Sequence, residues 1–383
     1  MSFSSRFSIR GAVDPFIVMD VMEAARAREA AGASVVHMEV GQPSTPAPRA
    51  AREAAARAAA EEPLGYTVAL GLPALRERIA RLYRDWYDVS VPAERVIVTA
   101  GSSAGFLLAF LALFDAGARV ATVAPGYPSY RNILKGLDIE PVEMPGDAAA
   151  GWRATPAMAE AAGPIDGLLV ASPSNPTGAM LDRAAMEGLV ASAKKAGAAF
   201  ISDEIYHGLH FGERAVTALE LTDDAVVINS FSKYFSMTGW RIGWMVAPEA
   251  LVRTIERLAQ NFFICPPHVS QVAALAALDA EEECEAYRRV YVRNREVLLE
   301  ELPKAGFKRL APCEGAFYLY AEVDDLTDDS REFCARMLAE AGVAATPGFD
   351  FDPARGSGTV RFSFARSTED MIEGARRLCD WLS

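Results

Sequence analysis

The sequence predicts an α/β fold, in which a mainly parallel sheet lies between two layers of helices and joins a smaller α+β unit. Three observations predict it. From about residue 94, short apolar runs alternate with helical stretches, the pattern of repeated βα units with right-handed crossovers. Several of those runs show no polar alternation, as expected of strands covered on both faces. After about residue 280 the alternation gives way to one long amphipathic segment.

Taken in order, "AAREAAARAAAEE" (50–62) is Ala-rich with interspersed charges and reads as a partly exposed helix. "RVIVTA" (95–100) reads as a buried strand, followed by a helix over 103–114. "RVATVA" (119–124), a helix over 128–137 and "IEPVEM" (139–144) come next. "DGLLVAS" (166–172), "AAFISD" (198–203), "AVVINS" (225–230) and "RIGWMVA" (241–247) complete the strands of the sheet. Residues 282–302 form one amphipathic helix, with Tyr287, Val290, Tyr291 and Leu298 near helical spacing, leading into the smaller unit that ends at Ser383. No internal repeat or low-complexity linker interrupts the chain.

A chain of 383 residues accommodates about two domains. Asp and Glu outnumber Lys and Arg by 51 to 38, a net charge of −13, which argues against nucleic-acid or anionic-membrane partners. The five cysteines are odd in number and contain no C-x-x-C, so reduced thiols in a cytoplasmic protein are expected. The first apolar run, "FIVM" (16–19), ends at Asp20 and does not resemble a signal peptide. The longest apolar run, 106–114, is far shorter than the ~20 residues that span a bilayer.

In open α/β sheets the ligand lies beyond the carboxyl ends of the strands. Residues 101–103, "PSNPTG", "DEIYHG" and "FSK" all fall at such ends. "VIVTAGSSAG" (96–105) has two readings. As G-x-S-x-G it is a nucleophile elbow with Ser103 attacking; as a helix N-terminus after a tight turn it cradles an anion. A hydrolase needs a later acid and histidine, and Asp203 followed by His207, His210 or His268 stands in the required order. That reading lacks an HGGG-type oxyanion segment and leaves Lys233, Arg241 and the Asn-Pro turn idle. Cys265-x-x-His268 and His207-x-x-His210 are lone pairs, short of a zinc ligand set. A regulator's sensor domain would need a DNA-binding helix-turn-helix and a more basic chain.

"YTVALGLPALRERIA" (66–80), "VTAGSSAG", "APGYPSY", "SPSNPTG", "SDEIY", "SFSK" with "MTGWRIGW", and "VRFSFA" (360–365) occur in one order along the chain. Together they resemble the class I/II aminotransferases, the fold-type-I pyridoxal-phosphate enzymes, over nearly the whole length. The resemblance implies a large cofactor-binding domain over 45–280, with 1–44 and 281–383 forming the small domain. It implies pyridoxal 5′-phosphate held as a Schiff base by Lys233, which also moves the proton at Cα in a ping-pong exchange between an L-amino acid donor and a 2-oxo acid acceptor. Asp203 would keep the ring nitrogen protonated. Tyr206, with Asn175 beside it, would bond the phenolic oxygen, and Tyr127 would stack on the ring. Ser102, Ser103, Ser230 and Arg241 would hold the phosphate. Tyr66 would reach it from the neighbouring subunit of a homodimer with shared sites. Arg361, with Asn175 and the backbone at Gly41, would take the substrate carboxylate. Lyases and synthases of this fold use the same cofactor residues, so β-elimination remains an alternative.

Two features depart from the family pattern or leave it undecided. Asp350 and Asp352 stand in "TPGFDFDPARGSG" (346–358), where small residues are more usual, facing either substrate or solvent. "GAVDPFIVMDVM" (11–22) offers no obvious specificity cation, and Phe262 and Phe263 suggest an apolar or aromatic donor.

Overall fold

The computed structural model describes residues 8–383. Seven strands form the main sheet, in the spatial order Val96–Thr99, Gly243–Val246, Val226–Ser230, Ala199–Asp203, Gly167–Ala171, Arg119–Ala124, Glu140–Pro145. Gly243–Val246 runs antiparallel to both neighbours, and the other pairings are parallel. Every run read as a strand of this sheet is one, within two residues at each end. The largest difference is at Arg241, read as the first residue of its strand. It precedes the strand in a left-handed conformation (φ 50°), closing the 3₁₀ turn Thr238–Trp240.

The missing polar alternation has a direct cause. Val98, Leu168, Val170, Phe200, Val227 and Trp244 point into one core, whereas Ile97, Leu169, Ile201, Ile228 and Met245, their neighbours in sequence, point into another. Successive side chains alternate faces, so a sheet with helices on both sides needs apolar residues throughout. Phe106, Leu108 and Phe110 of the helix Ser102–Leu113 fill the second core. In the helix Arg49–Glu61, Ala51, Ala55 and Ala58 form the buried stripe.

The chain after residue 300 builds an antiparallel sheet in the order Thr346–Pro347, Thr359–Ser363, Tyr318–Glu322, Arg309–Leu310. Val36–His37 pairs in parallel with Val343–Ala344, which brings the N-terminal segment onto this unit. The long helix is Glu281–Glu301, one residue earlier than read from its pattern, and it packs on Thr368–Leu382. Among the described residues no helix is long and apolar enough to cross a membrane. The five cysteines are free thiols.

Candidate active site

A cavity of about 250 Å³ opens at the carboxyl ends of the parallel strands. Ser102, Ser103, Tyr127, Asn175, Asp203, Tyr206, Lys233, Arg241, Gly41 and Arg361 all line it. Ser230 and Tyr66 do not. The Ser230 hydroxyl lies behind the wall, bonded to the Ile242 carbonyl at 3.2 Å and to the Ser232 hydroxyl at 2.9 Å. Ser232 and Thr238 present hydroxyl-bearing side chains to the cavity instead. Tyr66 is 83% exposed on this chain.

Lys233 follows the strand Val226–Ser230 and donates from Nζ to the Gly41 carbonyl at 2.7 Å. Burial, then the charges of Arg361 and Arg241, lower its pKa to about 8, against the pull of Asp203. At neutral pH it therefore loses its proton far more readily than a surface lysine. Asp203 ends its strand fully enclosed. Its pKa is pushed up to about 6 by burial, against the Tyr130 hydroxyl, the Ile205 N–H and the Lys233 charge. Tyr130 Oη donates to Asp203 Oδ2, and the Ile205 N–H donates to Oδ1 at 3.1 Å. Tyr206 is buried, and its hydroxyl shares a 2.8 Å hydrogen bond with Tyr318.

The opening stretch of the helix Ser102–Leu113 has the geometry of an anion cradle. Its first N–H groups lack intrahelical partners and no side chain caps them. Gly101 turns the chain at φ 81°, and a Cβ there would fall on the Arg241 guanidinium, so glycine lets the cation sit against the helix start. No histidine serves Ser103 through Asp203, whose partners are Tyr130 and Ile205. His207 instead bonds the Tyr87 hydroxyl at 2.6 Å and the Ser172 carbonyl at 2.9 Å. The hydrolase triad is thus not assembled, and His207 is already committed to two non-metal partners.

Arg361 is 3% exposed on the strand Thr359–Ser363. It donates to Asn175 Oδ1 at 2.8 Å, to the Glu39 carbonyl and to Thr346 Oγ1. Its guanidinium carbon lies 4.3 Å from the Tyr318 ring centre and 4.7 Å from that of Phe351. Its Nε is buried without a partner, a donor in want of an acceptor.

Phe16, Val18, Met19 and Val40 form the apolar wall. Phe262 and Phe263 do not take part: Phe262 is 56% exposed, and Phe263 packs on the second core. Asp350 and Asp352 face neither substrate nor solvent. Both are buried, Asp352 holding Arg355 at 2.8 Å and Asp350 bonding the backbone of residues 17 and 18. Tyr130, Tyr318, Ser232 and the Phe16–Met19 wall escaped the sequence reading. Tyr130 and Ser232 lie inside motifs already singled out, but their direction depends on tertiary packing.

A buried amine, a carboxylate at a strand end, an anion cradle and a buried arginine meet in one cavity: an amine of this kind can condense with a carbonyl, the cradle suits a phosphate and the arginine a carboxylate. Residues 33–378 match the family described as aminotransferase class I and II. The valine–pyruvate aminotransferase of Mycobacterium tuberculosis is 46% identical over 384 residues, covering 99% of each chain. A crystal structure from Silicibacter pomeroyi is 60% identical with a TM-score of 0.94, covering 98% of this chain and 99% of that one. The aspartate aminotransferase of Thermus thermophilus with maleate is 30% identical with a TM-score of 0.92, over 98% and 99%. The chain belongs to the class I and II aminotransferase family. It is an aminotransferase acting on amino acids and 2-oxo acids, and the lyase alternative is set aside. Family membership implies dependence on pyridoxal 5′-phosphate, and the cradle at Gly101 and the orphan Nε of Arg361 fit that group and its substrate.

Proposed function

We propose that this aminotransferase exchanges the amino group of an L-amino acid bearing a small apolar side chain, of the valine class, with a 2-oxo acid such as pyruvate. One observation carries the reading. Beyond the lysine, the ring-nitrogen carboxylate and the phosphate arginine, Arg361 is the one charged side chain lining the cavity among the described residues, and Phe16, Val18, Met19 and Val40 line the same cavity with apolar side chains. Among the groups this chain contributes, a donor's α-carboxylate has a partner there and a side-chain carboxylate has none. The 46% identity to a valine–pyruvate aminotransferase supports the same donor class.

In this reading Ser102, Ser103, Ser232 and Arg241 hold the cofactor phosphate, with Ser230 supporting Ser232. Tyr127 would pack on the ring, Tyr206 with Asn175 would hold the ring oxygen, and Asp203 would keep the ring nitrogen protonated. The bound cofactor supplies a carbonyl that condenses with amines and a ring that withdraws electrons from Cα. Arg361 and Asn175 orient the substrate carboxylate near Gly41. Lys233, its amine tilted toward the neutral form, moves the proton at Cα. Tyr66, on the open surface with Val68 and Ile264, completes the phosphate site of a second copy in a homodimer.

A donor panel with pyruvate as acceptor tests this. Valine-type donors turning over well above aspartate and glutamate is the expected result; a preference for acidic donors would overturn it.

A further inference from the structure

We propose that Asp350 is a positioning residue for substrate selection: its carboxylate fixes the start of the helix Ile17–Ala30 so that Phe16, Val18 and Met19 close around the donor's side chain. The inference rests on the apolar-donor reading above.

Asp350 is fully buried, yet it bonds no side chain of the site. One carboxylate oxygen accepts the Ile17 N–H at 3.0 Å, and the other accepts the Val18 N–H at 3.2 Å. These are the first two residues of the helix, and Phe16 at its cap offers no side-chain acceptor. The first N–H groups of a helix have no internal partners. Here a carboxylate from the far end of the chain takes the place of a local cap, with the charge sign the helix N-terminus favours. The three wall residues flank or include the bonded pair. Phe16 also rests edge-on against Tyr127, ring centres 5.8 Å apart.

The other end of the device is equally constrained. Thr346 accepts from Arg361 at 3.3 Å, and Phe351 lies against the same guanidinium. Arg131 donates to the Asp350 carbonyl at 2.7 Å. One short segment, 346–351, thus grips both the arginine assigned to the substrate carboxylate and the helix that carries the apolar wall. The distance between those two features is the reach allowed to a donor side chain. A second tether, Lys135 to Asp14 at 2.8 Å, lies at the surface with side chains 45% and 53% exposed, where ion pairs contribute little.

The test compares valine and alanine as donors, with one 2-oxo acid acceptor, in the holoenzyme and three variants. Alanine's methyl presents far less apolar surface to the wall than valine's side chain. Asp350→Asn replaces one acceptor oxygen by a donor. Ile17→Pro removes one of the two N–H groups at the first helical position, where proline is tolerated and the preceding residue is already extended (φ −93°, ψ 96°). Asp350→Asn is expected to raise KM for valine about tenfold or more, with kcat and the alanine KM within about threefold, as lost side-chain contacts in an apolar pocket do. Ile17→Pro should shift the valine-to-alanine ratio the same way by less, and Lys135→Ala should leave it unchanged. Cofactor content and absorption should match wild type throughout. Equal losses on both donors, an unchanged ratio in Ile17→Pro, or loss of cofactor overturns the inference; Ile17→Pro decides if Asp350→Asn does not fold. Wild type showing no preference for valine overturns the donor reading itself, whereas a wild-type preference that survives in the variants overturns only the role of Asp350.

Discussion

The two halves of the cavity are built on different principles. One half sits at the strand ends of the large sheet, where Ser102, Asp203, Lys233 and Arg241 each lie within a few residues of a strand. The other half is assembled from the two ends of the chain. Phe16, Val18 and Gly41 meet Tyr318, Asp350 and Arg361 across more than 300 residues in several pairs, such as Ile17 with Asp350 and Glu39 with Arg361. In the reading proposed above, the first half carries the chemistry of the reaction, and the second carries the arginine for the carboxylate common to all substrates together with the apolar wall that would distinguish their side chains. A strand end gives a fixed platform, so polar groups for the reaction can be encoded locally. A side-chain pocket can instead be retuned by shifting a helix start, without disturbing that platform.

Substitutions should separate the halves. The largest effect is expected at Lys233. Lys233→Ala should lower turnover by on the order of 10²–10⁴-fold or more, the span of positioned acid–base groups, for every donor alike, and abolish the near-visible band of bound cofactor. Retained steady turnover would refute the assignment. Arg361→Lys keeps the charge but loses the fork. It should raise KM for donors and acceptors together by about 30-fold, near 2 kcal/mol, with the cofactor spectrum unchanged; an effect on donors alone would break the shared-carboxylate reading.

The pH dependence of the cofactor-free protein sharpens the comparison further. The pKa of Lys233 is lowered from 10.5 to about 8 in the fold. Below about pH 8 both folded and unfolded chains hold the proton, and the full cost of the buried charge is present. Between about 8 and 10.5 the folded chain releases it first, so the unfolded state binds more protons and stability rises with pH. Lys233→Met should remove this contribution, up to about 1.4 kcal/mol per pH unit, seen by comparing denaturant melts of the two proteins across that window. A parallel pH profile would mean the lysine is not desolvated. The smallest effect belongs to Tyr66→Phe. Loss of one hydrogen bond, about 1 kcal/mol, should weaken cofactor binding several-fold in the dimer, and unchanged affinity would remove Tyr66 from the shared site.

How much of this was legible in the chain follows the same division. The strands of the main sheet could be read because burial on both faces leaves uninterrupted apolar runs, and turn residues punctuate their ends. Lys233, Asp203 and Arg241 could be read because each is embedded in a local motif. Ser230 illustrates where that stops: the motif marks the turn, but only packing shows that Ser232 faces the cavity and Ser230 supports it from behind. Phe262 and Phe263 illustrate it more sharply. They are apolar and adjacent in sequence, yet Phe16, Val18 and Met19 line the cavity and they do not. Asp350 stood out as an oddity of composition, and its partners could not be read, because both are backbone N–H groups more than 300 residues away.

The sequence by itself determined the α/β architecture, the family and most of the polar groups that line the cavity. Those depend on periodicity and on motifs a few residues long, which local sterics and burial translate directly into strands, turns and helix starts. Only the tertiary structure decided which hydroxyl faces the cavity, that Tyr130 holds Asp203, and that a buried carboxylate near the C-terminus caps the N-terminal helix. Such contacts have no local signature, because the energy that makes them comes from burial and hydrogen bonding between segments that meet only once the chain has closed on itself.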